Sequence, residues 1–239
     1  MCFLGTQIKD LVDFKEVDLE HLQGKVIAVD AMNTLYQFLS IIRQRDGTPL
    51  KDSNGRVTSH LSGLFYRTSN LLELGIRPFF VFDGEPPELK SKTLESRRQI
   101  KAEAEKARKE ALERGDEKEA FKYAQRSSRL SDEMVGQSKT LLSAMGVPWI
   151  QAPGEGEAQA TLMAKKGDAW AVGSQDFDCL LYGAPILVRN MTITGKRKLP
   201  GKDEYKEVLP EIVELSKFKE EYDIDQRELI AIGVLVGTD

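Results

Sequence analysis

Three short apolar runs, each leading into aspartate, do most to limit how this chain can fold. They are Lys25–Asp30 (KVIAVD), Pro78–Asp83 (PFFVFD) and Asp168–Ser174 (DAWAVGS), the last followed by Gln175 and then Asp176 and Asp178. Unbroken apolar runs of this length are the pattern of strands buried on both faces. Weaker runs at Val147–Gln151 and Pro185–Arg189 add further candidates. Helical patterns lie between them. Ala31–Arg43 places Leu35, Phe38, Leu39 and Ile42 on one stripe, and Thr58–Leu74 does the same with Leu61, Leu64, Phe65, Thr68, Leu71 and Leu72. Met134–Met145 and Glu155–Lys166 continue the series. This alternation predicts an α/β fold, a mostly parallel twisted sheet with helices on both faces.

The stretch Glu88–Leu130 breaks the pattern. It is rich in Ala, Glu, Lys, Arg and Gln, and Leu89, Leu94, Ile100, Leu112, Phe121 and Tyr123 make no continuous apolar seam. A helix polar on all sides is solvent-bridging or held by side-chain pairs. Gly115-Asp116 predicts two helices joined at a turn, so this stretch reads as a helical excursion standing off the sheet. Thr194–Lys202 (TGKRKLPGK) reads as a basic loop.

Composition narrows the chemistry. Two cysteines (Cys2, Cys179) and two histidines (His21, His60) exclude a disulfide framework and a zinc cluster of usual spacing. There is no apolar run of about 18 residues and no secretory signal, so the expectation is an intracellular protein with no membrane partner. Net charge is −4 overall, yet Glu88–Glu133 holds 13 Lys/Arg against 11 Asp/Glu. Acid is therefore concentrated elsewhere.

In an open α/β sheet the carboxyl ends of the strands border the ligand crevice. Asp30, Asp83, Asp176 and Asp178 fall at such ends. Glu155 and Glu157 open a predicted helix in PGEGEA, and Asp239 follows the apolar run LIAIGVLVGT. Any one of these aspartates alone also reads as a helix N-cap. On a helix Glu155 and Glu157 diverge by about 200°, so they share a site only at a frayed end or through different ions. Recurrence on successive strand ends is what favours a common site. Seven carboxylates in one crevice repel unless cations are bound. All-oxygen donors favour Mg²⁺, with Mn²⁺ able to substitute, and a cluster of this size suits two ions at a phosphodiester.

Lys90 and Arg97, seven residues apart, share a helix face shortly after Asp83 and could grip a phosphate; the bland alternative is a solvated face. Tyr36 offers core packing or a ring for base stacking. Arg43, Arg45 and Arg67 are candidate phosphate contacts, and His60 reads as a structural polar residue. A nucleotide-binding doubly wound protein is a further alternative, and the want of a Gly-rich loop after the first strand counts against it.

The segments VIAVDAMNTLYQFL, SHLSGLFYRT, VFDGEPPELK, APGEGEAQA, GSQDFDCLLYG and GVLVGTD resemble the flap endonucleases of archaea and eukaryotes, from about Lys25 to Asp239. The resemblance implies a structure-specific 5′ nuclease that cuts 5′-flap DNA near the single-strand/double-strand junction and trims 5′ ends with two Mg²⁺ ions, in replication and repair. It maps the metal-site acids onto Asp30, Asp83, Glu155, Glu157, Asp176, Asp178 and Asp239, with Asp83 and Asp178 also counted as catalytic. Lys90 and Arg97 correspond to the arch cations and Tyr36 to the stacking tyrosine. It implies a single catalytic domain over residues 1–239, with a helical arch at about 84–131. The family's Met-Gly start is replaced by MCFLGTQ. Ending at Asp239, the chain is expected to lack the duplex-binding helical region and the tail that binds a sliding clamp. Location is expected at the nucleoid if archaeal, or in the nucleus if eukaryotic. The alternatives are a weakly active or inactive nucleic-acid-binding fragment, or a related nuclease acting on RNA or other junctions.

Overall fold

β-Branched and aromatic residues fall in short runs that pair into one sheet. The structure, a computed structural model, describes residues 8–44, 47–85, 91–193, 195–198 and 205–237. The strands of the main sheet are β1 (Lys15–Glu16), β2 (Val26–Asp30), β3 (Arg77–Phe82), β4 (Trp149–Gln151), β5 (Ala171–Gly173), β6 (Ile186–Arg189) and, after a separate ribbon, β9 (Glu211–Glu214). Among the described residues they form a seven-stranded sheet in the order β1-β9-β6-β5-β2-β3-β4. The five strands β2 to β6 are mutually parallel, and β9 and β1 add antiparallel at one edge. The apolar runs therefore make the expected mostly parallel α/β sheet. The antiparallel edge has no counterpart in the sequence reading, because two- and four-residue strands such as KE and EIVE carry too little pattern to register.

The ribbon is β7 (Gly195–Lys198) paired antiparallel with β8 (Tyr205–Val208). This corrects the reading of Thr194–Lys202 as a loop throughout. A charge-rich run shows no strand pattern on its own and becomes a strand through the partner at Tyr205–Val208. Thr194 and residues 199–204 lie outside the described residues.

The helices are α1 (Ala31–Ile41), α2 (Ser59–Glu73), α3 (Ser91–Glu113), α4 (Glu117–Arg126), α5 (Asp132–Ala144), α6 (Gly156–Lys166), α7 (Asp178–Leu181), α8 (Leu215–Tyr222) and α9 (Gln226–Val236). None among the described residues is long and apolar enough to cross a membrane. The chain divides into two compact units, one from Met32–Tyr66 with Pro86–Val147, the other from Phe3–Ala31, Arg67–Glu85 and Pro148–Asp239.

The second unit holds the sheet. α6 packs on β2, β3 and β5. Gly156, Ala160 and Ala164 recur every four residues on its buried stripe, and small side chains there bring the helix close to the strands. Ala28, Val81, Val172, Leu187 and Val213 belong to the same buried cluster, with Leu180, Phe218 and Leu229 from the later helices. α7 packs on α9, and α8 on β9.

In the first unit α3 and α4 pack along each other. Gly115, at φ +74°, turns the chain, and Asp116 caps α4 by accepting the Glu119 N–H at 2.9 Å. Ala104, Ala111, Ala120 and Ala124 are buried, whereas Ile100 and Leu112 are exposed. The two helices predicted around Gly115-Asp116 are present. The hydrophobic residues buried along them are alanines, which carry little of the apolar signal that larger side chains give. Elsewhere in this unit, α2 lies so close to α1 that a Cβ on Gly63 would sit 2.8 Å from Phe38 Cβ. His60 is buried, its Nε2 3.0 Å from Gln137 Oε1 of α5.

Leu187 is fully buried within the sheet, while Ile230 on α9 is exposed. Leu187→Ala is expected to cost about 2–5 kcal/mol in denaturant unfolding, and Ile230→Ala less than about 0.5 kcal/mol. Equal effects would contradict the placement of the core.

Candidate metal centre

Strand order creates the site. β2 has β3, the next strand in the chain, on one side and β5 on the other, so the order reverses between β2 and β5. Ligand crevices in such sheets lie outside the carboxyl ends of the strands at that reversal. Asp30 is the last residue of β2, and Ser174 and Asp176 follow β5 directly; their exposures are 4%, 6% and 7%. The connection from β4 to β5 is α6, whose start reaches the same end of the sheet. Glu155 holds the N-cap position with extended backbone, and Glu157 lies in the first turn.

Hydrogen bonds fix these groups. Ser174 Oγ lies 3.4 Å from Asp30 Oδ2 and 3.2 Å from Glu157 Oε1, so its single proton serves one carboxylate or the other. The same oxygen accepts the Asp176 N–H at 3.1 Å, and Asp176 Oδ1 accepts the Asp178 N–H at 3.3 Å. Asp83 Oδ1 accepts the Gly156 N–H at 2.8 Å, so an acid from the end of β3 caps α6. A Cβ on Gly156 would sit 2.6 Å from that oxygen, so a larger residue there would push the Asp83 carboxylate off the amide. Gly84 N–H donates to the Gly154 carbonyl at 2.6 Å, and Gln151 Nε2 donates to the Asp83 carbonyl. The DGE and PGEGE segments are thus laced together through main chain.

Glu157, Asp176 and Asp178 each present an oxygen, and the three lie within 4.8 Å of one another. Desolvation, followed by the charges of Asp30, Asp176 and Asp178, holds the Glu157 carboxyl well above its ordinary value of 4.5. Burial and then the same acids push the neighbouring Cys179 thiol up as well. Oxygen-only donors at this density of negative charge fit a hard divalent cation, which would replace repulsion by attraction.

The other sequence-derived positions are distributed as follows. Asp30 joins the cluster through Ser174, and Asp83 and Glu155 flank the start of α6. Asp239, Lys90 and Arg45 lie outside the described residues, and Arg97 falls within α3 with its side chain outside them. Arg67 is exposed on α2. Tyr36, half-buried on α1, has the Lys101 ammonium 4.5 Å from its ring centroid, and Lys101 Nζ donates to its hydroxyl at 3.4 Å. Arg43 donates from Nη1 to the Gly47 carbonyl at 2.7 Å and from Nη2 to Ser128 Oγ at 2.6 Å. Two of its donor groups are therefore engaged within its own unit. Ser174 was missed by the sequence reading. The available signal was a hydroxyl two residues ahead of an aspartate after a strand, a spacing that forms local side-chain turns.

Because Glu157 holds its proton more tightly in the folded chain than in the unfolded one, the metal-free fold loses stability as pH rises above 4.5 toward the raised native value. In EDTA the thermal midpoint is expected to fall between about pH 5 and pH 8. Glu157→Gln should flatten that slope and raise the midpoint at pH 8 by about 2–4 °C. An unchanged slope in the variant would contradict the electrostatic account.

Comparison with known proteins agrees with this geometry. Residues 3–104 match the XPG N-terminal domain and residues 146–239 the XPG I-region. The chain is 63% identical over 238 residues to Flap endonuclease 1 of Thermofilum pendens, covering 99% of this chain and 69% of that protein. Among solved structures, flap endonuclease-1 from Methanococcus jannaschii superposes with a TM-score of 0.73 at 49% identity, over 98% of this chain and 71% of that one. The catalytic core of Rad2 in complex with DNA substrate gives 0.66 at 26% identity, over 94% and 59%. With the acids gathered at the strand-order reversal and relatives matched from end to end of its length, the chain belongs to the flap endonuclease family of structure-specific, metal-dependent nucleases.

Proposed function

We propose that this protein hydrolyses phosphodiester bonds of 5′-flap DNA near the junction, and trims 5′ ends, with Mg²⁺ held by the carboxylates at the strand-order reversal. The observation that carries the reading is the Glu157–Asp176–Asp178 oxygen group, in contact through Ser174 with Asp30. In this reading Glu157, Asp176 and Asp178 hold one ion, while Asp30, Asp83, Glu155 and Asp239 complete a two-ion site that also accepts Mn²⁺. When bound, such ions lower the pKa of water and neutralise charge on the phosphate under attack. The chain's own part is to keep the oxygens apart at the spacing an ion requires. Ser174 donates to one of two carboxylates in its reach, and the Gly156 and Asp178 amides hold Asp83 and Asp176. A general base from histidine is not needed, and His60 is occupied with Gln137.

DNA is the proposed substrate because Rad2, which shares the fold at 26% identity, is solved with DNA. Lys90 and Arg97 are proposed to contact the phosphate under attack and Arg67 a neighbouring one, with Tyr36 stacking on a base. Arg43 is assigned instead to holding Gly47 against Ser128. This activity places the protein with chromosomal DNA, at the nucleoid in an archaeal cell.

Cleavage of an end-labelled 5′-flap substrate tests the reading. Product ending near the junction is expected with Mg²⁺ or Mn²⁺ and none in EDTA. Asp178→Ala should lower the rate by about 100-fold or more, the scale of several kcal/mol of metal-derived stabilisation. Cleavage that survives EDTA, or an Asp178→Ala variant as fast as the parent, would contradict it.

A further inference from the structure

Arg189 lies at the end of β6, one residue beyond Val188, which pairs with Gly173 of β5. It therefore stands level with Ser174, alongside the segment that carries Asp176 and Asp178. Its side chain is 11% exposed. Nε donates to the Gln175 carbonyl at 3.3 Å, and Nη1 meets Glu211 Oε2 of β9 at 2.8 Å. The guanidinium carbon lies 4.4 Å from the centroid of the Phe177 ring and 5.2 Å from that of Phe14. Those two rings are themselves 6.1 Å apart.

One planar group thus grips the residues on either side of Asp176, by main chain at Gln175 and by ring at Phe177. The fork shape matters. Glu211 compensates the buried charge from one side while Nε and the flat face remain for the segment. Phe177 is also the residue before Asp178, so both carboxylate-bearing positions are anchored through groups that Arg189 touches.

We infer that Arg189 is a positioning residue for the metal centre, fixing the path of Gln175–Phe177 so that Asp176 and Asp178 present their oxygens at ion-binding spacing. The inference rests on the proposal that these acids hold the cation. Its effect passes through the segment and through its charge: burial lowers the guanidinium's pKa, while the Glu211 and then the Asp176 carboxylates act to raise it. Loss of a group that hydrogen-bonds a ligand weakens metal affinity by about 10–100-fold in other centres, and Arg189, which contacts the residues beside the ligands, belongs at the lower end of that range.

The test is Mn²⁺ binding to the DNA-free chain, followed by electron paramagnetic resonance, with thermal unfolding in EDTA recorded beside it. Arg189→Met, which keeps an apolar stem against Phe177, is expected to weaken Mn²⁺ binding by about tenfold. Glu211→Gln, which removes the charge partner but leaves the segment contacts, should stay within about twofold while losing thermal stability, because the buried guanidinium is left uncompensated. Arg189→Lys restores a charge without the planar fork and should remain several-fold weaker than the parent. If Arg189→Met does not fold, Arg189→Lys carries the same comparison. Parent affinity in a folded Arg189→Met or in Arg189→Lys would overturn the inference. Equal losses in Arg189→Met and Glu211→Gln would also overturn it, leaving Arg189 as a clamp between β6 and β9. A parent chain that binds no Mn²⁺ would instead overturn the metal-centre proposal beneath it.

Discussion

Mutual repulsion among carboxylates, driven together where the strand order reverses, sets the terms for the rest of this structure. Among the described residues each acid sits at the end of a strand or the start of a helix whose own packing places it there, and Asp30 and Asp176 are buried outright. Asp30 continues a strand whose preceding residues Ile27, Ala28 and Val29 are all buried. Asp83 is fastened to the amide of Gly156, and Glu157 rides on a helix pressed against β2, β3 and β5. The hydrophobic effect and main-chain hydrogen bonding pay for a charge arrangement that is unfavourable by itself. A divalent cation reverses the sign of that term, which links folding, metal binding and activity.

What holds the acids apart is as informative as what brings them together. Ser174 has one proton and two carboxylates within reach, and its oxygen also takes the Asp176 amide. Arg189 anchors the next residues from the opposite side, through the Gln175 carbonyl and the Phe177 ring. The other unit follows different rules. Its helices α3 and α4 are polar outside and bury alanines, with a half-buried pair at Arg108–Glu105 and an exposed one at Arg114–Glu119. Exposed pairs of this kind add little stability. Lys101, on α3, covers the ring of Tyr36, so a base that stacks on the tyrosine from that side must displace an ammonium.

Much of this was legible in the amino-acid order, and the physical reason is periodicity. VIAVD, RPFFVF and AWAVGS are apolar enough to announce buried strands, and the aspartates that end or follow them, Asp30, Asp83 and Asp176, mark where the crevice lies. The Gly115-Asp116 turn was legible because glycine at positive φ and a capping aspartate are local signals. Other features depend on partners far away in the chain. The ribbon strand Gly195–Lys198 exists through Tyr205–Val208. The burial of alanines along α3 and α4 is visible only once the chain is folded. Ser174 and Arg189 look unremarkable in the sequence, since a serine after a strand and an arginine at a strand end have many ordinary uses. Their importance arises from β2, β5, β6 and β9 being neighbours.

The central claim, that the strand-end carboxylates form a divalent-cation site, is most directly tested by diffraction from crystals grown with Mn²⁺, with data collected at the manganese absorption edge. The account predicts anomalous density within coordination distance of oxygens from Glu157, Asp176 and Asp178. Anomalous density found only elsewhere, with these three carboxylates bare at saturating Mn²⁺, would contradict it.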